Sequence, residues 1–299
     1  MISINNVVKR FGPVVAVNNL SCNIENGSVF GLIGSNGSGK STLLRMISGV
    51  YKPDAGEILI DSENSYDNAE IKQKCCFISD FPYFTSSDTI NSLSKLYKNI
   101  YSNWSDERYN QLCAMFPVSP KAPVINMSKG MQRQAALILA LSTRPEYLLL
   151  DEIFDGLDPV VRQLLKKLLA DEIAERNMTV IIASHNLREL EDLCDHIGLL
   201  HKGGILLEKD LDEAKLGMHK LQLVFDSEKD RSFFEGFDIM TFGKKGRVIN
   251  MTVKGNAEEI DRRIEELGPI FHESLPLTLE ELFISEMEAA GYDINNIIG

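Results

Sequence analysis

A glycine-rich stretch, Gly34–Thr42, limits what this chain can fold into more than any other part of its sequence. It reads Gly-Ser-Asn-Gly-Ser-Gly-Lys-Ser-Thr and fits the pattern G-x-x-x-x-G-K-[ST]. The apolar residues 28–33 before it predict a buried strand, and residues 43–47 after it predict a helix. Glycines let a backbone turn with positive φ and point several N–H groups inward. The sequence therefore predicts a strand, loop and helix that bind a polyphosphate.

The residues of this loop have separate predicted tasks. Lys40 is expected to reach the β- and γ-phosphates of a nucleoside triphosphate, and the Ser41 hydroxyl to complete the shell of a Mg²⁺ ion. The predicted nucleotide-binding residues of the loop are Gly34, Ser35, Asn36, Gly37, Ser38, Gly39, Lys40, Ser41 and Thr42.

Composition excludes several other kinds of protein. The 299 residues carry a net charge of −12, which argues against a DNA or RNA partner. No apolar run approaches the roughly 20 residues that a membrane-spanning helix needs, and residues 1–6 lack a signal-peptide pattern. The five cysteines are scattered, without metal-ligand spacing, as expected of free thiols in the cytosol.

The order of predicted elements indicates an α/β fold, a P-loop NTPase core with a mostly parallel sheet. Strands and a turn over residues 1–28 form an antiparallel β subdomain, and residues from about 85 to 143 form a helical subdomain with predicted caps at Asp88, Ser105 and Ser128. Buried strands then follow at 147–150 and 179–183, with a helix opened by Asp158-Pro159 between them.

The pattern changes near residue 216, which divides the chain into a domain of residues 1–215 and a C-terminal domain of residues 216–299. The second domain has the predicted order β-α-β-β-α-β of a small, ferredoxin-like α+β domain. Thr278 and Glu281 form a predicted capping box that begins a final helix.

Polar residues at two strand ends suit phosphate chemistry. Asp151 follows the apolar residues 148–150, where a carboxylate can hold Mg²⁺ through water. Glu152 comes next, points differently, and can take a proton from an attacking water as a general base. His185 ends a second buried strand, where its ring is expected to reach the γ-phosphate. We therefore predict Glu152 and His185 as catalytic residues.

A further phosphate-binding candidate is the helix start at residues 126–133. Ser128 is placed to cap this helix beside Gly130, and a helix N-terminus attracts anions. On its own this is a common helix start.

Taken together, these motifs resemble those of the nucleotide-binding subunit of an ABC transporter, and the likeness covers about residues 1–215. The loop and Asp151-Glu152 match the family's Walker A and Walker B motifs, Ser128–Gln132 its signature motif, Gly156–Asp158 its D-loop, and His185 its switch histidine. The resemblance implies that Ser128, Gly130, Met131, Gln132 and Asp158 contact ATP, and that Phe11 stacks on adenine. It also implies that two chains close head-to-tail over two ATP molecules.

Three departures from the family pattern stand out. Asp80 replaces the usual Gln at the junction with the helical subdomain, so it either contacts Mg²⁺ or serves contact with a membrane partner. Lys129 stands where glycine is commoner, a variant that resembles a branch of exporter ATPases, as does the stretch 276–283. Ile153 replaces a common proline, with no consequence that follows from its chemistry.

The function that these features predict is an ATPase subunit that dimerises and drives a separate membrane permease, with export favoured. Such a subunit is expected in the cytoplasm, peripheral at the inner face of the cell membrane. The alternative is a soluble ABC ATPase acting on ribosomes or chromosomes, which the acidic charge disfavours. A P-loop kinase or GTPase would give no reason for the Ser128–Gln132 element.

Overall fold

The computed structural model describes residues 1–211, 217–281 and 284. The chain divides into two compact units, Met1–Glu208 and Lys209–Gly299. Among the described residues, no helix combines the length and the apolar composition needed to cross a membrane.

The described part of the first unit contains ten strands, the last of which runs past Glu208, together with seven α-helices and a 3-10 turn (Val124–Asn126). The strands are β1 (Ile2–Phe11), β2 (Val14–Ile24), β3 (Val29–Ile33), β4 (Ala55–Ile60), β5 (Glu63–Asn64), β6 (Cys75–Ile78), β7 (Tyr147–Asp151), β8 (Thr179–Ser184), β9 (His196–His201) and β10 (Gly204–Asp210). The helices are α1 (Lys40–Ile47), α2 (Ala69–Lys74), α3 (Ile90–Ile100), α4 (Asp106–Met115), α5 (Lys129–Ser142), α6 (Pro159–Arg176) and α7 (Leu187–Leu190).

Two sheets make up the body of this unit. The larger has the order β10-β9-β3-β8-β7-β6, and β3, β6, β7, β8 and β9 run parallel where they pair. The smaller, β2-β1-β4-β5, is antiparallel. Leu43, Leu44 and Met46 of α1 are fully buried in one apolar cluster with residues of both sheets. The parallel core and the antiparallel subdomain predicted from the sequence are therefore confirmed.

Asp61, at the end of β4, links the two sheets. Its carboxylate accepts hydrogen bonds from the Tyr147 hydroxyl of β7 at 2.6 Å and from the Lys74 ammonium at 2.9 Å. Burial alone would raise the pKa of Asp61, but these hydrogen bonds outweigh it and lower the pKa to about 2. The folded state therefore favours the ionised carboxylate.

We expect Asp61→Asn to lower the free energy of unfolding at pH 7 by about 1–2 kcal/mol. A depressed pKa adds stability that is present above the unfolded value near 3.8 and is lost as the pH falls toward 2. Urea unfolding should thus show a difference in the free energy of unfolding between wild type and Asp61→Asn that narrows below pH 4. The control Asp261→Asn, at an exposed residue, should show no such difference. A difference that is absent at pH 7, or that widens in acid, would contradict this account.

The helical subdomain consists of α3, α4 and α5. Ser105 caps α4 and Ser128 caps α5, each by accepting from a backbone N–H three residues on. The predicted cap of α3 is wrong by one residue: Thr89 forms a capping box with Ser92, while the Asp88 carboxylate accepts from the Thr85 N–H. Aspartate and threonine both suit an N-cap. Because the Asp88 carboxylate already accepts a hydrogen bond from the Thr85 N–H, Thr89 caps the helix instead.

The second unit is an antiparallel four-stranded sheet with helical segments. Its elements are β11 (Met218–Val224), a 3-10 turn (Arg231–Phe234), β12 (Asp238–Lys245), β13 (Val248–Lys254), α8 (Ala257–Glu266) and β14 (Phe271–Leu275). The strand order β12-β13-β11-β14 is that of a ferredoxin-like fold. Its first helix is only a single 3-10 turn, whose Phe234 packs against Phe225, Phe237 and Phe242.

The capping box predicted for the last helix is present. The Glu281 N–H donates to the Thr278 hydroxyl at 3.2 Å, and the Glu281 carboxylate accepts from the Thr278 N–H at 3.1 Å. Most of the predicted final helix lies outside the described residues.

Candidate functional site

The glycine-rich loop lies between β3 and α1, as predicted. Gly37 and Gly39 have φ values of 81° and 111°, and Gly39 forms the N-cap of α1. A Cβ on Gly39 would lie 2.4 Å from the Ala16 carbonyl oxygen, and one on Gly34 would lie 2.4 Å from the Leu200 carbonyl oxygen. Only glycine fits at these two positions, so neighbouring backbone fixes the shape of the loop.

Lys40 is held inside this loop by backbone oxygens. Its ammonium lies 2.6 Å from the Gly34 carbonyl oxygen, 3.3 Å from that of Ser35 and 3.4 Å from the Glu152 carboxylate. The side chain is 5% exposed, so its charge acts in a site largely shielded from water.

A cavity of about 330 Å³ opens beside this lysine. Its lining residues are Val14, Val15, Ala16, Asn36, Gly37, Ser38, Gly39, Lys40, Ser41, Thr42, Asp80 and Glu152. Seven of the nine predicted loop residues thus face one cavity, whereas Gly34 and Ser35 shape the loop behind Lys40.

Asp151 is buried at the carboxyl end of β7. It is 1% exposed, and neither carboxylate oxygen has a hydrogen-bond partner among the described residues. Burial raises the pKa of this group, and the nearby Ser41 hydroxyl, which does not reach hydrogen-bond geometry, opposes only part of that rise. A buried carboxylate without a donor is costly unless a cation meets it, so Asp151 together with Ser41 fits a Mg²⁺ site.

Glu152 adopts a backbone conformation that the sequence does not reveal. Its φ is +48°, in the left-handed region, while its N–H donates to the Ala183 carbonyl oxygen at 2.9 Å. Such a φ costs about 1–3 kcal/mol in a residue with a side chain. The turn directs the Glu152 carboxylate to the His185 ring, with 2.9 Å between Oε2 and Nδ1. The two predicted catalytic residues therefore lie in contact at neighbouring strand ends.

The Ser128–Gln132 element lies apart from this cavity. The Ser128 hydroxyl accepts from the Met131 N–H at 3.2 Å, and the Gln132 amide donates to the Met127 carbonyl oxygen at 3.1 Å. Gly130 packs on the D-loop, because a Cβ there would lie 2.3 Å from the Gly156 carbonyl oxygen. None of these residues is among those that line the cavity of their own chain.

Two other predicted ligands have different neighbours. Asp158 caps α6 by accepting from the N–H groups of Val160 and Val161, both at 3.0 Å. Phe11 is 45% exposed, contacts Tyr51 edge-to-face with 5.5 Å between ring centres, and is not among the residues that line the cavity. A role for either residue in binding nucleotide stays a prediction.

The structure adds Arg133 of α5 to the site. Its guanidinium pairs with the Asp80 carboxylate at 2.5 Å and also donates to the Asp155 carbonyl oxygen. Asp155 in turn brings its carboxylate near Glu152 and His185, with the three polar atoms within 4.8 Å of one another. Arg133 is the last residue of the predicted helix start 126–133, but the sequence assigned it no contact, and Asp155 directly precedes the predicted D-loop.

Comparisons with known proteins identify the family of this chain. Residues 17–155 match the family model described as ABC transporter. The ABC transporter ATP-binding protein YtrB of Bacillus subtilis (strain 168) is 31% identical over 286 residues, which are 96% of this chain and 98% of that protein. The bacitracin transport ATP-binding protein BcrA of Bacillus licheniformis is 32% identical over 218 residues, which are 72% of this chain and 71% of that protein.

A solved structure shares the fold. The dimeric post-hydrolysis state of the ATP-binding cassette MJ0796, bound to ADP and Pi, is 26% identical with a TM-score of 0.62, and the match covers 71% of this chain and 99% of that one. The phosphate loop, the paired acids and these relatives lead to one conclusion: this chain belongs to the ATP-binding proteins of ABC transporters and is an ATPase.

Proposed function

We propose that two ATP-binding subunits close head-to-tail over two ATP molecules and thereby drive a separate membrane permease. The observation that supports this most strongly is the separation of Ser128–Gln132 from the cavity of the same chain. A helix N-terminus with a serine cap can bind phosphate oxygens, yet the start of α5 does not line the cavity of its own chain. A second subunit turned head-to-tail would bring that helix to the open side of the cavity.

Hydrolysis in this arrangement relies on Glu152. A water held near its carboxylate attacks the γ-phosphorus and gives a proton to Glu152, while the bond from that phosphorus to the β-phosphate oxygen breaks and leaves ADP and phosphate. His185 orients the Glu152 carboxylate through the 2.9 Å contact, and Lys40 offsets phosphate charge. Mg²⁺, held by Ser41 and Asp151, would neutralise charge on the β- and γ-phosphates.

Export is the direction that we propose for transport, at the inner face of the cell membrane and through contact with the permease. Lys129 and residues 276–283 resemble an exporter branch. Two relatives, BcrA and the lantibiotic transport ATP-binding protein SrtF of Streptococcus pyogenes, are named for the transport of bacitracin and of a lantibiotic. Copurification of the native chain should recover a multi-span membrane protein. Recovery with a surface or periplasmic solute-binding protein would contradict export.

Replacing Ser128 tests the proposed second subunit. We expect Ser128→Ala to leave ATP affinity of the monomer within about twofold but to weaken ATP-driven dimer formation about tenfold or more, since only the partner's γ-phosphate loses a hydrogen-bond donor. Titration with labelled ATP measures the affinity. Sedimentation in a variant that cannot hydrolyse ATP measures dimer formation.

Ser105→Ala is the matched control, because Ser105 caps α4 as Ser128 caps α5. Both changes remove one N-cap hydrogen bond, worth about 1 kcal/mol of stability. Equal loss of dimerisation in the two variants would show that Ser128 acts only as a cap and would contradict the proposal.

A further inference from the structure

Asp80 brings a negative charge to a cavity built for a triphosphate. It lines the cavity together with Lys40 and Glu152, and its side chain is 29% exposed. An unneutralised carboxylate there would repel the phosphates, because charges in a partly shielded site interact strongly. In the structure, an arginine forms an ion pair with Asp80 and balances this charge.

The partner of Asp80 is the guanidinium of Arg133, 53 residues later in the chain. One nitrogen lies 2.5 Å from the Asp80 carboxylate and 3.4 Å from the Asp80 carbonyl oxygen. The Arg133 side chain is 7% exposed, and Asp80 is its carboxylate partner among the described residues. A guanidinium buried to this extent requires a counter-ion, so the two residues depend on each other.

The same guanidinium also holds the D-loop. Its other terminal nitrogen donates to the Asp155 carbonyl oxygen, while Gly130, one helical turn earlier, packs against the Gly156 backbone. A planar fork with fixed donors can bridge a carboxylate and a carbonyl at once, which a lysine cannot do with the same geometry. Arg133 thus connects the lining of the ATP cavity to the loop that follows Glu152.

We propose that Arg133 is a positioning residue with two roles at the ATP site, which can be tested separately. It neutralises Asp80, so that a carboxylate can lie beside the triphosphate without repelling it. It also links residues 154–158 to Asp80, because its guanidinium bonds both the Asp80 carboxylate and the Asp155 carbonyl oxygen. A movement of Asp80 would therefore also move the D-loop. Asp80 then needs no direct bond to a metal ion.

Charge neutralisation is tested by nucleotide affinity. Arg133→Met should weaken ATP binding about tenfold and ADP binding less, because it leaves Asp80 unpaired near the terminal phosphate. The double variant Asp80→Asn with Arg133→Met removes both charges and should return ATP affinity to within about threefold of wild type. A purely structural arginine would not be rescued by Asp80→Asn and would affect ATP and ADP alike. That pattern would overturn the neutralising task.

Positioning is tested by hydrogen exchange of residues 154–158 in the nucleotide-free protein. Arg133→Lys keeps the charge but not the fork, so ATP affinity should stay within about threefold of wild type while these amides exchange about tenfold faster. The control is Lys98→Met, which breaks the exposed ion pair with Asp106 on the helical subdomain and should change neither quantity. Wild-type exchange in Arg133→Lys would overturn the link to the D-loop.

Discussion

Glu152→Gln should abolish ATP hydrolysis and leave the protein trapped as an ATP-bound dimer. The amide keeps the size of the side chain but cannot accept the proton of the attacking water, so we expect the turnover rate to fall by about 10²–10⁴-fold. ATP binding needs no base, and loss of the negative charge beside Lys40 removes a competitor for that ammonium. Phosphate release and sedimentation with saturating ATP measure the two effects.

The control for this prediction is Glu146→Gln, at a half-exposed residue that immediately precedes β7. It should turn over ATP at the wild-type rate and should not accumulate as a dimer. Near-normal hydrolysis by Glu152→Gln would remove the general-base assignment. A variant that is inactive yet stays monomeric with saturating ATP would contradict the proposed closure instead.

Lys40→Ala should act earlier, on nucleotide binding itself. The Lys40 ammonium is 5% exposed and is surrounded by oxygens of Gly34, Ser35 and Glu152, which phosphate oxygens can replace. Charge-assisted hydrogen bonds contribute about 1.5–3 kcal/mol, so the affinity for ATP should fall about 10- to 100-fold. Equilibrium titration measures this loss.

Lys167→Ala serves as the matched lysine control, since Lys167 is exposed on α6. It should bind ATP as the wild type does. Unchanged affinity in Lys40→Ala would mean that the glycine loop does not grip phosphate through this residue, and the assignment of the cavity would be lost.

The phosphate loop and the two acids at the end of β7 could be predicted because their signals are local. A glycine pattern between a strand and a helix predicts the loop conformation from neighbouring residues alone. The apolar run before Asp151 and Glu152 likewise predicts that both lie at a strand end. The alternation of strands and helices predicted the parallel sheet for the same reason.

Features set by tertiary contacts could not be predicted in this way. The positive φ of Glu152 depends on its hydrogen bond to Ala183 of the neighbouring strand. The pairing of Asp80 with Arg133 joins residues 53 positions apart, and a lone arginine in a helix resembles a surface residue. The weakly patterned segment of residues 62–74 contains α2 and β5, which a cap at Asn68 and pairing with β4 stabilise.

The head-to-tail arrangement is tested most directly by a crystal structure of the Glu152→Gln variant with ATP and Mg²⁺. The decisive quantity is the distance from the Ser128 hydroxyl of one molecule to the γ-phosphate bound by Lys40 of the other. We expect a hydrogen-bond distance of about 2.6–3.2 Å. A structure in which residues 128–132 of both molecules lie away from every phosphate would contradict the dimer, and the proposed transport cycle would lose its closed state.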